Sequence, residues 1–372
     1  MKVITKSMLL LISVIALNVI AVVGGNVKLI ERIEISLENR PLINPLDFCV
    51  TDDELFLLPD FEAGNIKVYE ISGNLLKLVT TIGRKGYGPD ELSKPTFCFY
   101  NEAESKFVVM DYGIRKIFIY DRIDRINFKR IKEISCWRPG YDIKLEGNNL
   151  FISGYMPDSN GTPYDLYYVD LTKDEKDPNQ KTFLLPSYTK YGLNSFRQYE
   201  KEYRSKLDFI AMGILGWFDI YKDIAYFIWE GNLKIIKINF LTGKIDTKHF
   251  GTQPPHYVKP YASEKLLESY DKQDFNITRK EKSKMSYVRN IFVNSKYVLV
   301  IYEGPIKQDS GANFWLQFYT LDGGFIKEVP IPGALDRKMW FDKGRDILFS
   351  LCENKENASG KGYFISKYII VE

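Results

Sequence analysis

The chain has 372 residues, with 51 basic and 48 acidic side chains for a formal net charge of +3. The charges are interspersed, so the chain lacks the clustered basic patch that displaces phosphate counterions, and no nucleic-acid partner is expected. Charged residues at 27% and hydrophobic ones at 45% suit a globular chain rather than a disordered one, and the 15% aromatic share leans towards strands.

Residues 1–25 read as a signal peptide. Lys2 and Lys6 precede an apolar run from Met8 to Val23, and Gly24 and Gly25 follow. The run falls short of the roughly 20 residues of a spanning helix. An uncleaved N-terminal anchor is the alternative, and it is the one route by which a membrane enters the reading. No Cys follows the run, so lipid attachment there is unsupported.

Past the leader a repeat is visible. Asp47-Phe48-Cys49-Val50 starts a unit that continues through Glu54–Leu58, Ile66–Glu70 and, after a turn at Ser72-Gly73-Asn74, Leu75–Ile82. Thr96-Phe97-Cys98-Phe99 starts a second on the same plan, followed by Lys106–Met110, Lys116–Asp121 and Lys129–Ile134. Alternation such as Ile66-Lys67-Val68-Tyr69 is the period-2 signature of a strand. Four short strands recurring at about 40–50 residues are the sequence form of propeller blades. Looser units begin at Tyr141, Trp217, Tyr287 and Lys338.

The last unit has three strands, and Val27–Leu37 is left over. Supplying the missing outer strand from Val27–Leu37 closes the ring and removes an aggregation-prone edge. The expected fold is therefore all-β: a six-bladed β-propeller of four-stranded antiparallel blades, in one domain over 26–372. Two insertions, at about 187–216 and 254–286, break the β pattern. Ser195–Phe209 spaces Phe196, Tyr199, Tyr203 and Leu207 as a helical face, and Ser263 is placed to cap a helix over the following residues.

At Ile82–Leu92 the chain reads IGRKGYGPDEL, followed by TFCFYN and VVMDYGIRKIFIYD. These segments resemble the exported six-bladed NHL-like or TolB-like propellers of the Bacteroidetes. Gly83, Gly86, Gly88, Pro89, Glu91 and Leu92 match the loop motif of that group, and the match is clear over about residues 45–135. The resemblance implies fold and export more than activity. The glycines and proline permit an irregular crossing between blades, with Glu91 satisfying loop backbone donors. Such loops also form anion-binding nests. No Gly-Lys-Ser/Thr follows, so this is not a P-loop.

In a propeller the connections between blades share a face with the loops joining each blade's second and third strands. That face is expected to carry Arg84, Tyr87, Arg115, Trp137, Arg138, Trp229, His256 and Tyr257, residue types that dominate interface energetics. For each one singly, packing or a solvated rim competes with binding. Catalysis has little sequence support: there is no Gly-x-Ser-x-Gly elbow, and His249 and His256 are the only histidines. Cys49, Cys98, Cys136 and Cys352 lack metal-site spacing, and their disulfide state stays open.

The functional expectation is a non-catalytic binding or scaffolding propeller, periplasmic or at the cell surface. It would engage a protein, peptide or glycan and need no cofactor. The alternative is a metal-dependent hydrolase or lyase with a divalent cation in the central channel. At least three carboxylate, Asn or His side chains converging on the axis would favour that alternative.

Overall fold

The computed structural model describes residues 27–36, 42–136, 140, 142–177, 179–186, 216–246, 249–261, 263–305, 314–333, 338–354 and 362–371. The leader, the helix expected over Ser195–Phe209, and Trp137 and Arg138 lie outside the described residues.

The strands follow the expected repeat. β1 spans Val27–Ile35. β2 (Cys49–Val50), β3 (Leu55–Asp60), β4 (Asn65–Ser72) and β5 (Leu75–Ile82) form the first unit. A short pair, β6 (Arg84–Lys85) and β7 (Glu91–Leu92), precedes the second, made of β8 (Pro95–Asn101), β9 (Lys106–Asp111), β10 (Lys116–Arg122) and β11 (Phe128–Ser135). The third is β12 (Asp142–Glu146), β13 (Asn149–Pro157), β14 (Pro163–Asp170) and β15 (Lys181–Pro186). The fourth is β16 (Gly216–Tyr221), β17 (Ile224–Trp229), β18 (Ile235–Asn239) and β19 (Lys244–Ile245). Helices α1 (Glu264–Asp271) and α2 (Phe275–Lys282) follow. The fifth unit is β20 (Tyr287–Val293), β21 (Tyr297–Glu303), β22 (Phe314–Thr320) and β23 (Phe325–Ile331). β24 (Lys338–Asp342), β25 (Ile347–Asn354) and β26 (Gly362–Ile370) come last.

Closure occurs as expected. β1 runs antiparallel to β26, from Val27 opposite Ile370 to Glu34 opposite Phe364. Its far end also pairs in parallel with β5, at Glu34–Leu75 and Ile35–Leu76. The last and first units are thereby sewn into a single eight-stranded sheet, alongside four four-stranded sheets. The first strand of each unit is innermost. β2 touches β8, β8 touches β12, β12 touches β16, β16 touches β20, and β24 returns to β2. Phe292 of β20 and Phe341 of β24 complete the cycle with ring centroids 5.4 Å apart.

The core lies between sheets, which explains why the strands read as nearly continuous apolar runs. In β3, Leu55 and Leu57 face the second unit, while Phe56 and Leu58 face the last. Alternation puts successive side chains on opposite faces, and here both faces are covered. Equivalent clusters separate the second unit from the third, the third from the fourth, the fourth from the fifth and the fifth from the last. Each fully buried Leu, Ile or Phe contributes about 1.5–3 kcal/mol.

Buried acids fix the connections. Asp60 accepts from Ile43 N (2.9 Å), Asn44 N (3.1 Å) and the Lys67 ammonium (2.7 Å). Burial raises its pKa, but these donors outweigh burial and hold the carboxyl below the usual range. Asp111 repeats the device one unit on, taking Ser93 N (2.7 Å), Lys94 N (3.0 Å), Gly113 N (2.9 Å) and Ile114 N (3.2 Å). Each acid sits at the end of a second strand and clamps the incoming inter-unit connection.

Two local features refine the expected pattern. Of the strand expected over Ile245–Phe250, the described residues show β19 at its start and an isolated bridge between Ile235 and Phe250. Gly251, just past that bridge, has a φ of +137, and a Cβ there would fall 1.8 Å from Leu233 O. In the second insertion Ser263 Oγ accepts from Leu266 N at 3.2 Å, as a cap should. The adjoining α2 was not foreseen; Asp274 caps it, accepting from Asn276 N and Ile277 N.

Candidate functional site

The glycine loop is a built structural device. Gly86 N donates to Leu92 O (3.0 Å), and the Glu91 carboxylate accepts from Gly88 N (2.7 Å) and Arg84 Nε (3.0 Å). Those donors, the Gly88 amide first, hold Glu91 below the usual carboxylate range. A Cβ on Gly86 would fall 2.0 Å from Glu91 Oε2, so any side chain there would displace the Glu91 carboxylate, and Gly83 has a φ of +72. Arg130 donates to Pro89 O and stacks on Phe118, tying the loop to the second unit. Lys85 Nζ donates to Glu62 O (3.0 Å), tying it to the first. Tyr87 and the Arg84 side chain project into solvent, 79% and 82% exposed. Arg115, also exposed, occupies a turn at φ +55, and its carbonyl accepts from Cys136 N.

Two residues expected on the open face are instead interior. Trp229 is buried, donates its indole N–H to Asp165 (2.9 Å), and packs edge-on to Phe227. Tyr257 is buried against Tyr302, near the ion pairs of Arg289 with Glu230 and Glu303. Large amphipathic side chains packed this way stabilise the connection and offer little surface. His256 stays part-exposed. Its Nε2 lies 2.6 Å from Tyr302 Oη and 3.0 Å from Glu328, and its ring sits 4.2 Å from that of Trp315. All four cysteines are buried free thiols.

One enclosed site was not singled out from sequence. A cavity of about 220 Å³ lies inside the ring of innermost strands, and all six of those strands, or the residues leading into them, contribute to its wall. Leu46, Asp47 and Phe48 come from the approach to β2, Phe97 and Cys98 from β8, and Asp142 and Lys144 from β12. Trp217 of β16, Asn290 of β20, and Lys338, Met339 and Trp340 of β24 complete it. Several of these stand at or before the first residue of their strand. The cavity therefore lies towards the face where the inter-unit connections arrive.

Its polar groups also staple the ring. Asp47 accepts from Cys98 N at 2.9 Å, joining the first unit to the second. Asp142 faces Phe218 N at 3.5 Å, joining the third to the fourth. Asp219, further along β16, accepts from Val293 N at 2.7 Å, joining the fourth to the fifth. Asp47 is enclosed by protein yet keeps surface towards the cavity, and burial pushes its pKa up to about 7. Burial raises Asp142 as well. Burial works against the charge of Lys144, but Asp142, Asp219 and Asp47 outweigh it and raise the pKa of the ammonium. Lys144 Nζ lies 3.4 Å from Asp142. Lys343, which follows β24, donates to Asp219 (2.9 Å) and Ile220 O (3.1 Å) on β16. That strap reaches past β20 near the opposite ends of the strands.

Asp47, Asp142 and Asn290 meet the numerical condition set for a metal centre, but their chemistry does not fit one. Asp142 is already offset by Lys144, and both acids are engaged by backbone amides. Among the described residues no group of three His, Cys, Asp or Glu side chains is placed to hold a metal ion. No described helix is long and apolar enough to cross a membrane.

No family model matches the sequence, and no curated protein matches it. Among solved structures, a putative exported protein of Bacteroides fragilis is similar at a TM-score of 0.55 and 13% identity, over 93% of this chain and 96% of that one. The Cps50 (Swd1) β-propeller domain of Myceliophteria thermophila reaches 0.48 at 10% identity, over 91% and 99%. A streptogramin B lyase reaches 0.44 at 12% identity, over 92% and 98%. The cyclic order of the sheets is that of a β-propeller, and the chain shares its fold with the exported protein of B. fragilis.

Proposed function

We propose that this chain is an exported, six-bladed propeller of the NHL-like or TolB-like kind that binds a partner without catalysis. The six count takes the eight-stranded sheet as two blades, β2–β5 and β24–β26 with β1. The partner is a protein, peptide or glycan, met on the face of the inter-unit connections. The observation that supports this reading is the cavity towards that face, where indole and phenyl rings from separate strands surround a few convergent polar groups. A concave, mainly apolar lining with few placed polar groups is the usual form of a ligand site. The exposed Arg84, Tyr87, Arg115 and His256 extend the same face.

Export is supported by the leader-like residues 1–25 and by the likeness to an exported protein. N-terminal sequencing of material recovered from the periplasm tests it: a start near residue 26 is expected, and an intact Met1 favours the anchor. For the binding face, the test is a pull-down from envelope extract comparing wild type with Trp137→Ala/Arg138→Ala and Arg84→Ala/Tyr87→Ala. Loss of a specific partner with an unchanged melting curve is expected. Identical partners across all variants would remove this face from the binding role.

A further inference from the structure

The lining of the central cavity narrows the occupant. With both acids ionised, above the pKa of about 7 of Asp47, its charges balance, Asp47 and Asp142 against Lys144 and Lys338. An ionic ligand would bring an uncompensated charge into a space enclosed by protein, which is strongly unfavourable. The volume of 220 Å³ lies below the roughly 300–1,000 Å³ of pockets that hold drug-sized ligands. The space therefore suits one ring-sized unit rather than a folded peptide. Phe97, Trp217 and Trp340, from three separate strands, are among the residues that line it.

The polar groups call for a ligand that donates and accepts together. Lys144 has three N–H donors and a carboxylate partner in Asp142 at 3.4 Å. Asn290 spends its oxygen on Ile291 N (2.9 Å), leaving its NH2 as a donor towards the cavity. Asp47 accepts from Cys98 N on Oδ2 and from the Phe48 amide, and its carboxylate lines the cavity. A hydroxyl meets such a mixture with one atom, because it both donates and accepts. A ring bearing adjacent hydroxyls does so without net charge, and its C–H faces lie against aromatic walls.

We propose that the cavity binds a neutral sugar ring, either free or as the terminal unit of a glycan. The inference rests on the binding role proposed for this face and names its ligand class. It is tested on the full-length mature chain by calorimetry and by the fluorescence of the cavity tryptophans. The probes are the methyl glycosides of glucose, galactose and mannose, with glucuronate and glucosamine as the anionic and cationic comparisons. Saturable binding of at least one neutral glycoside is expected, at least tenfold tighter than either charged sugar.

Phe97→Ala should weaken that binding tenfold or more without moving the melting temperature by more than a few degrees. Should Phe97→Ala fold poorly, Asn290→Ala removes the amide donor instead and should give the same loss. No binding of any neutral glycoside, or tighter binding of a charged one, overturns the proposal. An envelope partner retained by wild type that shows no sugar binding sinks this inference and leaves the loop-face reading standing. Loss of the partner as well sinks both. Retention on a neutral polysaccharide, released by the methyl glycoside, identifies the source as a glycan end. Binding of the methyl glycoside without that retention identifies a free sugar.

Discussion

Replacing Asp111 with alanine removes one carboxylate and strands four backbone amides. The side chain is fully buried, and its acceptor distances of 2.7, 3.0, 2.9 and 3.2 Å reach Ser93, Lys94, Gly113 and Ile114. The Ser93 amide is buried and has no water to turn to, so orphaning it costs about 1–3 kcal/mol. The other three are part-buried and regain water, each losing about 0.5 kcal/mol, at the low end of a net hydrogen bond. The sum is about 2.5–4.5 kcal/mol, a large share of the ~5–15 kcal/mol by which a domain is stable.

Urea unfolding followed by tryptophan fluorescence measures it, with Asp124→Ala as the control. Asp124 is exposed and accepts from Ile126 N and Asn127 N within its own turn, so that variant should barely move the urea midpoint. Asp111→Asn should fall between, because Oδ1 still serves Lys94, Gly113 and Ile114 while the new NH2 opposes the Ser93 N–H. If Asp111→Ala lies within about 1 kcal/mol of the control, the clamp does not hold the connection and the reasoning is refuted.

Three further outcomes are expected. Gly86→Ala should lower the urea midpoint, since its Cβ displaces the Glu91 carboxylate from Gly88 N; a wild-type urea midpoint would contradict the loop geometry. Asp47 carries a pKa of about 7 when folded, against 3.8 for an ordinary Asp carboxyl. The folded state therefore holds its proton longer, and the contribution of this group to stability falls as pH rises through that window. Melting temperatures between pH 4 and 8 should decline less in Asp47→Asn than in wild type, and parallel curves would refute the assignment. Ile33 of β1 is fully buried between the last and first units, so Ile33→Ala should cost about 2–5 kcal/mol. Ile33→Asp should open the seam and produce aggregates in light scattering, whereas a soluble, cooperatively melting Ile33→Asp would mean that β1 is dispensable.

Most strands were legible because burial on both faces leaves apolar residues at nearly every position, as in Leu55–Leu58. Arithmetic over the units found β1, since one strand was left over and one sheet lacked an edge. The cavity was harder to see. Asp47, Asp142 and Trp217 mark the starts of repeats, but period-2 alternation does not say which side of an innermost strand faces the axis. The signal present was a charge within a short apolar strand, Asp142 and Lys144 flanking Ile143. Trp229 and Tyr257 misled for the opposite reason: residue types favoured at interfaces are favoured equally inside, where a polar end such as the Trp229 indole finds Asp165. Helix α2 went unseen because Phe275–Lys282 carries almost no apolar face, and Asp274 was its one clear marker.

Pairing Val27 with Ile370 sets an order of events during synthesis. The strand that completes the last sheet leaves the ribosome before the other described strands and waits while more than three hundred residues follow. Throughout that wait its exposed Leu29 and Ile30, and its open backbone, have no native partner. Ring completion therefore acts as a checkpoint on chain length. A product truncated before β26 keeps its finished sheets but presents two raw edges, which chaperones and proteases recognise. The same seam makes the two ends report on each other, so a fluorophore pair at positions 28 and 369 would follow the final step of assembly directly.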